Sequence, residues 1–137
     1  TYLAGVGMTP SDLVCFGPLD TEGFDKPAAG ADDPDGEDLQ WSSSLGNNPS
    51  YLTETSATLL VRPDTGIPPM IGVYRGSAQR QAIEQQFIAT VSAAGVPTTT
   101  IDARSISHGE VASLIGTVRD TVMTPPLTTF LQGCFAG

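Results

Sequence analysis

The order of its patterns predicts an α/β chain with a small, mostly parallel sheet and flanking helices. Strand-like runs and helical stripes follow one another as strand, excursion, strand, helix, strand, helix. That order is the grammar of parallel β-α-β units with right-handed crossovers. The first two runs are also apolar without alternation, as strands covered on both faces require. A length of 137 residues suits a single domain, 1–137, and 39% hydrophobic content suits a folded globular one.

The start, Thr1 to Met8, reads as the tail of a small-residue helix. Asp12-Leu13-Val14-Cys15-Phe16-Gly17 is the first strand, stopped by Pro18. Residues 19–54 form an acidic, irregular excursion. From Leu19 to Asp38 it has no period and reads as a solvated loop or lid. From Leu39 to Glu54, Trp41, Leu45, Tyr51 and Leu52 suggest short helical turns over a core.

Pro68 and Pro69 precede a second strand, Met70 to Tyr74, where they break no ladder. The clearest helix runs from about Arg80 to Ala94, with Ile83, Phe87, Ile88 and Val91 at helical spacing. Gly95 is its left-handed stop. Thr98-Thr99-Thr100-Ile101-Asp102 is the third strand. After a loop, Val111, Leu114, Ile115 and Val118 form another helical stripe. Thr124 caps a last helix with Pro125 and Pro126 in its first turn and Leu127, Phe130, Leu131 and Cys134 on its buried face. Three strands leave the first with an open edge unless something pairs with it.

A formal net charge of -9, with Lys26 the single lysine, excludes nucleic-acid backbones and anionic membranes as partners. High-salt adaptation or genomic bias would each produce such an acidic chain. No apolar run reaches the roughly 18 residues of a membrane span, and no signal peptide is visible. The expectation is a soluble protein, cytoplasmic or secreted. Because Thr1 is not Met, we expect a processed product or a piece of something longer.

Cys15 and Cys134 have no metal-ligand spacing. Two buried thiols are the default, and one bridge is the alternative in a secreted protein. Asp33-Pro34-Asp35-Gly36 fails as a calcium loop, since Ala31 and Ser42 stand where ligands belong. No metal or cofactor is expected.

The chemistry-bearing residue is His108, the only histidine, in Ser105-Ile106-Ser107-His108-Gly109 between the third strand and a helix. The bland alternative is a lone surface or core histidine. Three other stretches accompany it in order: Trp41-Ser42-Ser43-Ser44-Leu45-Gly46, Pro68-Pro69-Met70-Ile71-Gly72-Val73-Tyr74 and Ala93-Ala94-Gly95-Val96-Pro97. With Ser107-His108-Gly109, these stretches make the region from Trp41 to Cys134 resemble the C-terminal half of bacterial α/β-hydrolase fold esterases and lipases. Tyr2 to Asp20 resembles the tail of the nucleophile helix and the next sheet strand in that family.

The resemblance implies a partial α/β-hydrolase fold and a serine hydrolase acting on small-molecule carboxylic esters without a cofactor. In it, His108 is the general base. Two departures stand out. No Gly-x-Ser-x-Gly nucleophile elbow is present, so the serine would come from a missing or separate N-terminal half. Gln79 stands where the family usually carries its catalytic Asp. An amide can hold an imidazole but cannot offset its charge. Asp20, after the first strand, occupies a position some α/β-hydrolases use for that acid, its bland alternative being a surface loop acid. Ser77 after Gly76 reads as a helix cap rather than a nucleophile, and Glu110 as a residue favouring the positive end of a helix. A Thr1 N-terminal nucleophile needs antiparallel strands from the outset, which this pattern lacks.

A second chain or homo-oligomer is expected to complete the sheet. The competing class is non-enzymatic: a truncated or degenerate hydrolase domain serving as an interaction module.

Overall fold

The computed structural model describes residues 2–21, 23–32 and 48–136. In chain order come α1 (Tyr2–Gly5), a single 3-10 turn (Pro10–Asp12), α2 (Lys26–Asp32), α3 (Pro49–Glu54) and α4 (Ala57–Leu60). Then come β1 (Met70–Tyr74), α5 (Ala78–Ala93), β2 (Thr98–Asp102), α6 (His108–Ser113) and α7 (Thr124–Phe135). Mixed helices around a small parallel sheet make this an α/β protein.

Strands β1 and β2 pair in parallel, Met70 opposite Thr98 and Tyr74 opposite Asp102. The continuous apolar run in β1 has the cause inferred from it, because both faces are covered. Ile71 and Val73 join Ile101, Ala103, Val111 and Met123 in one core, under Ile115, Leu127 and Phe130. Met70 faces the other way, into a core with Phe24, Phe87, Ile88 and Val91. Each such aliphatic side chain contributes about 1.5–3 kcal/mol on burial. Gly72 lies on the α5 side, where a Cβ would stand 2.5 Å from Ile88 Cδ1. Helix and strand touch there because the side chain is absent.

The expected first strand is reduced to a single residue. Phe16 N–H donates to Pro69 O (2.9 Å) and its carbonyl accepts from Ile71 N (3.0 Å), one parallel bridge beside β1. Local chemistry limits it on both sides. Asp12 accepts from Thr9 N (2.7 Å) and Thr9 Oγ1 (2.9 Å), which commits it to the 3-10 turn. Pro18 has no N–H to give a ladder. The run is not covered on both faces either, since Leu13, Val14 and Phe16 are 36%, 53% and 47% exposed.

Cys15 and Cys134 are bridged, Cα to Cα 6.0 Å, so the default of two buried thiols does not hold. The bond ties the N-terminal segment to the end of α7 across 119 residues.

The solvated reading of the Leu19–Asp38 stretch also needs correction. Phe24 is buried and stacks on Phe87 with centroids 4.2 Å apart, and α2 comes directly after it. Lys26 N donates to the buried Ser56 Oγ (2.9 Å), joining α2 to the turn after α3. Trp41, Leu45, Asp33-Pro34-Asp35-Gly36 and the rest of residues 33–47 lie outside the described residues.

Helix α5 begins after Ser77 and ends at an Ala94 cap followed by Gly95 at φ 86°, as its pattern predicts. The stripe Val111, Leu114, Ile115, Val118 is not one helix. α6 stops at Ser113, Gly116 turns left-handed at φ 83°, and Val118 is fully exposed. The start of α7 is organised by Asp120, not Thr124. The Asp120 carboxylate accepts the N–H groups of Val122, Met123 and Thr124 (2.9, 2.9 and 2.7 Å) and the Thr124 hydroxyl (2.5 Å). On α7, Leu127 and Phe130 pack inward, while Leu131 is 40% exposed.

Candidate functional site

Three chain segments leave the sheet at the carboxyl ends of its parallel pairings. Crevices that hold ligands in open α/β sheets form at that end. After Phe16 comes Pro18 to Asp20. After β1 comes Arg75-Gly76-Ser77, and after β2 comes Ala103 to Ser107.

Asp20 is 3% exposed and sits at φ 55°. Left-handed backbone costs a non-glycine residue about 1–2 kcal/mol, least for Asp and Asn. The partners of its carboxylate offset that cost. Arg75 Nη1 donates to Oδ2 (2.9 Å), Arg80 Nη2 donates to Oδ1, and Arg80 Nη2 also reaches the Asp20 carbonyl (3.0 Å). A buried carboxylate is tolerated only with such pairing.

Arg75 stitches the three segments together. Its guanidinium holds Asp20, its Nε donates to Ile106 O (3.3 Å), and its backbone N–H donates to Glu84 Oε2 (2.9 Å). Glu84, 2% exposed on α5, also accepts from Arg80 Nε (3.1 Å). Burial pushes the Glu84 carboxyl above its ordinary value, and the bonds from Arg75 and Arg80 partly counter this.

His108 is the first residue of α6. Ser107 is the N-cap, and Glu110 accepts both Ser107 N (2.7 Å) and Ser107 Oγ (2.7 Å), fixing the entry to the helix. Those same bonds hold the Glu110 carboxyl below its ordinary value. The imidazole stands with Nδ1 2.6 Å from Asp20 Oδ2, and its side chain is 72% exposed. An ionised carboxylate only accepts, so Nδ1 donates and the neutral ring keeps its lone pair on Nε2. Chemically, this is a base held in one tautomer, with the other nitrogen able to take a proton.

The structure thus brings together Asp20 and His108. Gln79 lies in the first turn of α5, while the Nδ1 side of the ring is taken by Asp20. Ser77 is the N-cap of α5, its Oγ accepting Arg80 N (3.2 Å), which is the capping role read from the sequence. Among the described residues, no group of His, Cys, Asp and Glu could hold a metal ion, and no helix is long and apolar enough to cross a membrane.

Sequence reading missed Arg75, Arg80 and Glu84. A signal was present, since Arg80 and Glu84 are four apart on a helix and Glu84 interrupts an apolar stripe. An acid inside such a stripe is buried only if it is paired. A cavity of about 520 Å³, walled by Pro69, Thr98, Thr99, Phe130 and Cys134 among others, opens at the opposite, amino end of the strands.

Compared with known proteins, the chain matches no family model, no curated protein and no solved structure. The site alone carries the functional reading.

Proposed function

We propose that His108 and Asp20 are the general base and its orienting acid in a carboxylic-ester hydrolase of the α/β-hydrolase type, esterase- or lipase-like. The observation that carries this is the 2.6 Å contact between a buried, doubly ion-paired carboxylate and Nδ1 of an exposed imidazole. The side chain is 72% exposed, so a substrate can reach the ring while the buried carboxylate holds its Nδ1. In acyl transfer, Nε2 takes the serine proton as the hydroxyl attacks, Asp20 keeps the ring in register, and the imidazolium then returns the proton to the leaving alcohol.

The serine comes from elsewhere in the assembly, since Ser77 is spent as a cap. The unfinished sheet supports a second, different chain as its source, while another copy of this one could complete the sheet but not supply the elbow. Among the described residues, the edge beside Phe16 pairs on one side only and carries exposed Leu13 and Val14. The Cys15–Cys134 bridge supports an oxidising compartment. The second reading, a non-catalytic interaction module of the same fold, is favoured by the capping role of Ser77.

A fluorophosphonate probe applied to the protein, purified with whatever accompanies it, separates the two readings. Intact mass under denaturing conditions then identifies the labelled polypeptide. The hydrolase reading predicts one labelled serine, with labelling lost in His108→Ala. Failure to label any serine, in a sample whose second polypeptide is present, leaves the interaction module.

A further inference from the structure

The acid-bearing segment is held to the sheet by very little backbone. Among the described residues, Phe16 alone of this segment pairs with the sheet. Leu13, Val14, Phe16 and Leu19 are all exposed, and Asp20 adopts a left-handed backbone conformation. Cys15 stands immediately before that single bridge and five residues before Asp20. Its disulfide to Cys134 anchors the segment to α7, whose Leu127 and Phe130 are packed on the core. Cys134 also forms part of the wall of the cavity of about 520 Å³ at the amino end of the sheet, and both cysteines are only half-buried.

We infer that the Cys15–Cys134 disulfide is a redox latch on the His108–Asp20 pair: intact, it seats the Asp20 carboxylate against the imidazole, and reduction releases it. This regulation rests on the hydrolase reading for its consequence, but the latch itself concerns only the contact between the two side chains. The step balances as thiol–disulfide exchange. A dithiol attacks one sulfur, Cys15 and Cys134 each leave as a thiol, and the dithiol closes into its own disulfide with two electrons transferred. Without the covalent tie, the segment keeps one bridge and the Arg75 and Arg80 pairs, and the exposed Leu13, Val14, Phe16 and Leu19 add little burial to hold it in place.

The test tracks the His108 ring by ¹⁵N and ¹H NMR in the oxidised chain, after reduction with dithiothreitol, and in the Cys15→Ser/Cys134→Ser double variant. The expected result is loss of the hydrogen-bonded Nδ1–H signal on reduction. The double variant should resemble the reduced protein and ignore the dithiol, while near-ultraviolet circular dichroism of the core persists. A ring signal unchanged by reduction overturns the latch, as does global unfolding on reduction, which would make the bond a staple for the whole domain. Ester turnover measured on the same samples separates the two claims. A ring that responds in a sample containing the serine-bearing polypeptide, with no turnover in either state, keeps the latch and removes the hydrolase.

Discussion

Asp20 and His108 are 88 residues apart in sequence, and their side chains meet at 2.6 Å because both lie just beyond the carboxyl end of one small parallel sheet. The carboxylate is buried and the imidazole is not. That asymmetry orients the ring, because the fixed partner dictates the position of the mobile one.

The first consequence concerns the tautomer. Asp20→Ala removes the acceptor for Nδ1–H and frees the ring, so the neutral imidazole redistributes toward the Nε2–H form. Side-chain ¹⁵N shifts of His108 in the two proteins check this. A ring with the same tautomer in both would mean that Asp20 does not orient it.

Arg80→Met leaves the Asp20 and Glu84 carboxylates buried with a lost partner. Breaking such a pair from one side costs about 3–5 kcal/mol. The Arg80 side chain is itself 20% exposed, so the lower end of that range is expected. Urea unfolding measures it, and Arg80→Lys should recover only part, because one ammonium cannot span both carboxylates.

Gly72→Ala places a methyl group against Ile88 at a distance no relaxed contact allows. Overpacking of this kind costs about 1–3 kcal/mol. Combining it with Ile88→Ala, which removes both side-chain atoms that the methyl would meet, should return part of the loss, and thermal unfolding of the single and double variants decides whether the close approach is the cause.

How much of the fold is legible in the sequence depends on how locally each part is encoded. β1, α5 and β2 are readable because apolar spacing, Gly95 and the prolines act within a few residues. The first strand is over-read from its pattern. Nothing in Leu13-Val14-Cys15-Phe16 announces that Asp12 is committed to Thr9. The α6 stripe misleads in the same way, because Gly116 and the turn around Asp120 cut a pattern that continues in the sequence. Asp20 and His108 are each nameable from position, but their meeting depends on sheet order. Within the clamp the Arg80–Glu84 pair is legible from its i,i+4 spacing, but its joining to Arg75 and Asp20 depends on three segments converging, which no spacing along the chain encodes.

The turn before α7 gives a pH-dependent prediction. Burial pushes the Asp120 carboxyl up, but the Thr124 hydroxyl and the N–H groups of Met123, Val122 and Thr124 together outweigh it and hold the group at about 2. A folded value below the unfolded one means that Asp120 stabilises fully above the ordinary carboxylate range. That contribution fades as pH falls toward about 2. Asp120→Asn should therefore unfold more easily than the parent at neutral pH, with the gap narrowing in acid. A gap constant across that range would contradict the assignment.

The central claim, that His108 and Asp20 act as one catalytic unit, is tested most directly by a double-mutant cycle in kcat/KM. Turnover of a short-chain nitrophenyl ester is compared for the parent protein, His108→Ala, Asp20→Asn and the double variant, each together with the polypeptide that carries the serine. Residues that work as a unit are strongly non-additive. His108→Ala is expected to abolish turnover and Asp20→Asn to lower it by roughly four orders of magnitude, with the double variant no worse than His108→Ala. Turnover unchanged in His108→Ala, or losses that simply add, would contradict it.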